Sequence, residues 1–214
     1  RGFNVNAWLR DEGYLVCKEG STSPDWFTNV DWSKTKAFSL GLTGLFINRK
    51  GREMQGIVAE GAELEALKAE IRAKLEALVD PDRDVPVMRR VFDTTGDFSG
   101  PYTADAPDLL FGYHKGYRHS WECAVGNVTE NAFADNVKAW SGDHSVDPAL
   151  VPGVFFCNQE IAAKSPSLLD IAPTVLGLFG IDPPGYMQGT DIFAPSMPST
   201  DDEVPEKARE EVVA

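Results

Sequence analysis

A chain of 214 residues, 43% apolar and 25% charged, is long enough for one large domain or two small ones around a true core. Its 33 Asp and Glu against 20 Lys and Arg leave a formal net charge of −13, which argues against a nucleic-acid surface because phosphate backbones call for a basic patch. No apolar run reaches the ~18 residues of a membrane-spanning helix. Cys17, Cys123 and Cys157 form no CxxC pair, so neither a disulfide framework nor a thiolate zinc site is expected. The opening residues show no signal-peptide pattern, and free thiols lean toward the cytoplasm without fixing the compartment.

In chain order, residues 3–19 read as a short helix or turn ending near Gly13, then a strand through Tyr14-Leu15-Val16-Cys17. Ser21 to Pro24 is loop-like, and Leu40 to Asn48 is an apolar, Gly-punctuated stretch of strands and turns. Asn48-Arg49-Lys50-Gly51-Arg52 reads as a turn between Leu45-Phe46-Ile47 and Gly56-Ile57-Val58. The clearest helix spans Ala62 to Val79, where Leu64, Leu67, Ile71, Leu75 and Leu78 share one face. Asp80-Pro81 stops it, and its charged face is expected to be solvated. Val87 to Phe92 and Leu109 to Tyr113 read as strands around a Gly/Pro/Asp-rich loop, Asp93 to Asp108.

Gly126 to Trp140 is mixed and polar. Val151 to Asn158 reads as an apolar strand, followed by a helix entered through Leu168 to Leu176. Asp170 suits its cap, Pro173 its first turn and Gly180 its end. Pro195 to Ala214 is a Pro- and acid-rich tail. Alternating strands and helices favour an α/β class with a central sheet.

His144 lies in a small polar turn, Ser141 to Asp147, just ahead of that apolar strand. It has little packing to do there, which makes it a candidate metal ligand. Asp143 or Asp147 would orient its second ring nitrogen; the plainer alternative is an incidental turn histidine. His114 and His119 follow a strand at a spacing of five, unlike two ligands on one helix face. They read as surface-loop residues or, with Lys115 and Arg118, as a basic loop that attracts phosphate. Arg49, Lys50 and Arg52 allow the same two readings. Thr35, Ser39, Thr94 and Thr95 are the nearest nucleophile candidates, but no ligand cluster adjoins them and no GxSxG occurs, so no catalytic residue is assigned.

Several segments together resemble the alkaline-phosphatase superfamily. Asp170-Ile171-Ala172-Pro173-Thr174-Val175-Leu176-Gly177-Leu178-Phe179-Gly180-Ile181 and Met187-Gln188-Gly189-Thr190-Asp191-Ile192-Phe193 are similar to its C-terminal helix and the segment after it. Asn4-Val5-Asn6-Ala7-Trp8-Leu9, Gly13-Tyr14-Leu15, Trp32-Ser33-Lys34-Thr35-Lys36-Ala37, Asn48 to Val58 and Ala106-Pro107-Asp108-Leu109 resemble a narrower branch. That branch holds predicted phosphohydrolases and phosphomutases related to type I phosphodiesterases and nucleotide pyrophosphatases.

The resemblance implies an α/β fold in which residues 1–194 form the C-terminal portion of an alkaline-phosphatase-like sheet flanked by helices. It also implies a cap-like insertion at about residues 32–98 and an acidic tail at 195–214. The implied activity is hydrolysis of a small phosphate ester at two divalent metals, zinc in first place and manganese or magnesium as alternatives. Only the last histidine ligand maps here, onto His144, with Asp143 behind it; Arg52, His114 and Arg118 are the substrate-binding candidates. The Thr or Ser nucleophile and the other ligands belong to the N-terminal part of the same domain, which this sequence lacks. A sulfatase, a cofactor-independent phosphomutase and a non-catalytic accessory piece are the rival expectations.

Overall fold

Asn4 sets the first helix. Its backbone is extended and its side-chain oxygen accepts from the Ala7 amide at 3.0 Å, capping α1 (Val5–Asp11) behind β1 (Gly2–Phe3). The computed structural model describes residues 1–140, 142–143 and 146–193, in two units that divide between Pro152 and Gly153. His144 and the acidic tail lie outside the described residues.

The strand expected over Tyr14 to Cys17 does not form. The Tyr14 and Leu15 amides both donate to the Leu9 carbonyl, and the Tyr14 carbonyl accepts from Lys36 and Ala37. These are scattered tertiary bonds, and only Cys17 makes a bridge, to Val30. The chain then builds β2 (Ala37–Leu40) and β3 (Gly44–Ile47). The turn after Ile47 is not a hairpin: Val58 returns beside Arg49 as an isolated parallel bridge.

Helix α2 (Ala62–Glu76) buries Leu64, Leu67, Ile71 and Leu75, the face that the spacing marks. It ends three residues short of Val79, because Val79–Asp80 forms β4 and pairs with β5 (Val85–Pro86). Asp80 is fully buried there and accepts from Arg1, the Asp82 amide and the Tyr117 hydroxyl, an anchor that no local propensity reveals. Nor is the charged face of α2 wholly solvated. Lys68 is buried, 3.0 Å from Asp93 and 3.1 Å from Glu65. Burial alone would lower its pKa, but those carboxylates outweigh it and hold the ammonium above its ordinary value.

Beyond it come β6 (Met88–Asp93), α3 (Thr94–Asp97), β7 (Leu109–Tyr113), β8 (Arg118–His119), α4 (Trp121–Ala124) and β9 (Phe133–Ala134). The main sheet runs β2-β3-β7-β6, antiparallel throughout, and draws strands from both sides of residue 98. A smaller sheet runs β8-β1-β9, with β1 and β8 parallel. The architecture is therefore mixed α and β. Its core gathers Phe3, Leu9, Leu45, Ile71, Leu109 and Tyr113, among others, from both sheets and from α1 and α2. At about 25 cal/mol per Å² of apolar area removed from water, this burial is the main force holding the unit together.

The second unit begins inside the expected apolar strand. No strand forms over Val151 to Cys157, and Val154 and Phe156 are exposed. An extended apolar run needs a neighbouring strand to satisfy its backbone, and among the described residues none pairs with it.

Helix α5 (Ile171–Leu178) does form. Asp170 makes no side-chain cap bond to α5 itself. The reciprocal capping box closes the short turn Leu168–Asp170 just before it, where Asp170 accepts from the Ser167 amide at 2.7 Å while its other oxygen accepts from the Thr190 amide. At the far end Gly180 takes φ +66°, Ile181 donates to Leu176 and Gly180 to Gly177, the paired bonds of a Schellman stop. Gly189 lies so close to the Leu169 carbonyl that a Cβ would fall 2.1 Å from its oxygen. The segment after α5 is thereby strapped back onto the start of the helix.

Candidate functional site

β7 and β8 are joined by a tight reversal at His114 to Tyr117, with Gly116 at φ +92° and the Tyr117 amide on the His114 carbonyl at 3.1 Å. β8 is then registered on β1: the Arg118 amide donates to the Arg1 carbonyl, and the Ser120 amide to Phe3, each at 3.0 Å. Ser120 also caps α4, accepting from the Cys123 amide at 3.0 Å. These bonds fix the backbone on both sides of Arg118 and Trp121.

Arg118 and His119 point in opposite directions, as neighbours on a strand must. The Arg118 side chain is mostly buried, with Nε 3.0 Å from Asp143 Oδ2 and 3.3 Å from the His119 carbonyl. Its guanidinium carbon stands 4.5 Å from the Trp121 ring centre. Among the described residues, its Nη1 has no hydrogen-bond partner.

His119 faces the core, sharing a 2.8 Å hydrogen bond with the Tyr113 hydroxyl and stacking on Phe111. Burial pushes its pKa down to about 4; Asp143 opposes that and Arg118 reinforces it. His119 is therefore neutral at pH 7. It is a core residue, not the surface-loop residue that the sequence suggests.

Arg118 borders several clefts. One of about 400 Å³ has Leu42, Trp121, Trp140, Gly142 and Asp143 as its other walls. Another, of about 420 Å³, includes Lys115, Tyr117 and Val146. Of the expected site residues, Arg118 and Asp143 thus come together. His114 is half-buried at the reversal and lines none of these clefts; its neighbour Lys115 does.

Arg52 stands in a different cluster. Its donors reach Asp108 at 2.6 Å, Glu53 at 2.6 Å and the Ile47 carbonyl at 2.9 Å. Arg49 joins it on Asp108 at 3.1 Å. The two arginines hold the turn after β3 against the start of β7.

Asp147 caps a short turn through the Ala149 amide at 2.8 Å and pairs with Arg89 at 3.0 Å. The residues beside it dock on the end of β7, where Val146 pairs with Tyr113.

Three of the four hydroxyl candidates have structural employment; Thr94 is buried, and its hydroxyl has no hydrogen-bond partner among the described residues. Thr35 and Ser39 are fully buried and bonded to backbone groups. Thr95 accepts from Lys68 at 3.0 Å and donates to Asp93 at 2.9 Å. A charged lysine cannot act as its base. The sequence left Trp121 and Trp140 unmarked; the one available signal was an aromatic residue close after Arg118.

Among the described residues, no three His, Cys, Asp or Glu side chains converge as a metal would need. The described residues alone therefore do not fit a two-metal centre. No protein-family model, curated protein or solved structure matches this chain.

Proposed function

We propose that this chain is the C-terminal portion of a metal-dependent phosphoester hydrolase of the alkaline-phosphatase type, in which Arg118 holds the phosphate. The observation that carries the reading is the buried Arg118 guanidinium, paired with Asp143 and bordering a cleft, with Nη1 unpartnered among the described residues. A buried donor left without an acceptor costs about 1–3 kcal/mol. A phosphate oxygen supplies that acceptor. The planar guanidinium suits it better than an ammonium, since it offers two N–H groups to two oxygens and keeps its charge at any working pH.

Asp143 holds one edge of the fork, which leaves the other for a ligand. It immediately precedes His144, the residue whose sequence setting resembles the family's last metal ligand. Two residues singled out on separate grounds, Arg118 and Asp143, thus meet beside that position in the chain.

The apolar surface of the second unit supports the same reading. Only Pro173 and Thr174 of α5 are buried, while Val175, Leu178, Phe179 and Ile181 are exposed. A helix apolar on all sides belongs inside a larger domain, and the run at Val154 to Phe156, unpaired among the described residues, wants a neighbouring strand. Both fit a domain completed by residues outside this sequence, which would also bring the nucleophile and the remaining ligands. No reaction step through the metals is derived, because the described residues do not assemble their site.

The test uses the intact protein loaded with zinc or manganese and a chromogenic phosphate ester. His144→Ala and Arg118→Ala are each expected to lower turnover by roughly 100-fold or more, the usual effect of removing one group that stabilises transferring charge. Full activity in His144→Ala would sink the proposal. Phosphate binding that depends on Arg118, with no hydrolysis under any metal, would favour the accessory reading instead.

A further inference from the structure

We propose that Trp121 is the positioning residue of this anion site: its indole face holds the Arg118 guanidinium in place beside the cleft, so that the buried Nη1 is kept for an anion's oxygen. The inference rests on reading Arg118 as the phosphate-holding group. An arginine side chain has several rotatable bonds, and the strand backbone fixes only where it starts. Asp143 restrains one edge, at 3.0 Å from Nε. This ion pair and the 3.3 Å hydrogen bond from Nε to the His119 carbonyl both act at Nε, and still allow the Nη end of the guanidinium to swing. The Trp121 ring, 4.5 Å from the guanidinium carbon, removes that freedom by covering one face. Cation–π attraction adds to the restraint and is strongest where the cation is desolvated, as here.

Trp121 is held independently of the arginine that it covers. It opens α4, whose cap is Ser120, and Ser120 is itself bonded to Phe3 of β1. Nor is its ring there to fill the core. Trp8, a core tryptophan, is 6% exposed, whereas Trp121 is 45% exposed and lines the cleft beside Arg118 and Asp143. An indole left that far in water and laid on a buried cation serves the cation. One face and one edge of the guanidinium are then occupied. The edge carrying Nη1, unpartnered among the described residues, remains for an oxyanion.

Inorganic phosphate is titrated by calorimetry into the full 214-residue chain and into Trp121→Phe, Trp121→Leu, Trp121→Ala and Arg118→Ala, each checked for folding by circular dichroism. Trp121→Phe keeps an aromatic face and is expected to bind within about threefold of the unaltered chain. Trp121→Leu keeps apolar bulk but no ring, and it should weaken binding roughly tenfold, as should Trp121→Ala. Arg118→Ala should abolish binding.

If Trp121→Leu binds as the unaltered chain does while Arg118→Ala does not bind, the positioning role falls and the anion site stands. If Arg118→Ala binds normally, or the unaltered chain binds no phosphate, the anion site falls and takes this inference with it. Should Trp121→Ala fail to fold, the Phe and Leu variants decide, because both retain an apolar side chain on the half-exposed surface.

Discussion

Two arginine–aspartate clusters in the first unit use the same chemistry to different ends. At Asp108 the carboxylate is buried and fully engaged: Arg49 and Arg52 occupy Oδ1, and Arg52 with the Ile47 amide occupies Oδ2. Such a cluster has nothing left to offer a ligand. It locks the turn after β3 to the strand that follows Asp108. At Arg118 the guanidinium is equally buried, yet its Asp143 contact uses one edge, and Nη1 is unpartnered among the described residues. The difference teaches that burial and pairing alone do not mark a functional charge. What separates the two clusters is hydrogen-bonding capacity left over at Arg118 after its Asp143 contact.

Substitution at Asp108 should break that comparison most visibly. Removing it strands two arginines against each other, so Asp108→Ala is expected to cost about 3–5 kcal/mol of stability. Arg118→Ala, which removes a side chain already short of partners, should cost about 1–2 kcal/mol. Urea midpoints with unchanged slopes read both, and equal losses would erase the distinction.

Next in size is an acid effect beside Arg118. The folded-state pKa of His119 is depressed to about 4, below its ordinary 6.5. The unfolded chain then binds more protons between those values. This contribution is full above pH ~6.5 and declines as pH falls toward 4, by something on the order of 3 kcal/mol. Comparing urea unfolding at pH 7 and pH 4.5 in His119→Gln should show a shallower loss than in the unaltered chain. An identical loss in both would assign the acid sensitivity to other groups.

Arg52→Lys keeps the charge but loses the fork on Asp108, and should cost about 1 kcal/mol. The exposed Arg72–Glu76 pair, 3.4 Å apart on successive turns of α2, sets the floor. Arg72→Ala should change stability by no more than about 0.5 kcal/mol, so a larger loss would show that surface pairing matters more here than its geometry suggests.

Much of the scaffold was legible in the sequence because it depends on neighbours within a few residues. The spacing of Leu64, Leu67, Ile71 and Leu75 marks the buried face of α2, the apolar run Leu109 to Tyr113 is β7, and Gly180 ends α5 where a left-handed residue is needed. The failures share one cause. Tyr14 to Cys17 reads as a strand, but Leu9, Asp31 and Lys36 take its backbone bonds. Val79 looks helical until Asp80 is drawn in by Arg1 and Tyr117. The apolar run after Val151 reads as a strand but finds no partner among the described residues.

The candidate site divides in the same way. His144, Asp143 and Arg118 were each visible as residues able to bind metal or phosphate, and Arg52 and His114 looked no different. What separates them is through-space pairing: Arg52 meets Asp108 across 56 residues, and Arg118 meets Asp143 across 25.

By itself, then, the sequence determined the mixed α/β class, the apolar face of α2, the stop of α5 and a short roster of candidate cations. Those features follow from periodicity, capping and backbone preference, all settled within a turn or two of chain. Only the tertiary structure decided which cation is satisfied and which is not, that His119 is a neutral core group, and that Trp121 lies across Arg118. Charge pairing and desolvation act through space, between residues that the order of the chain does not place together.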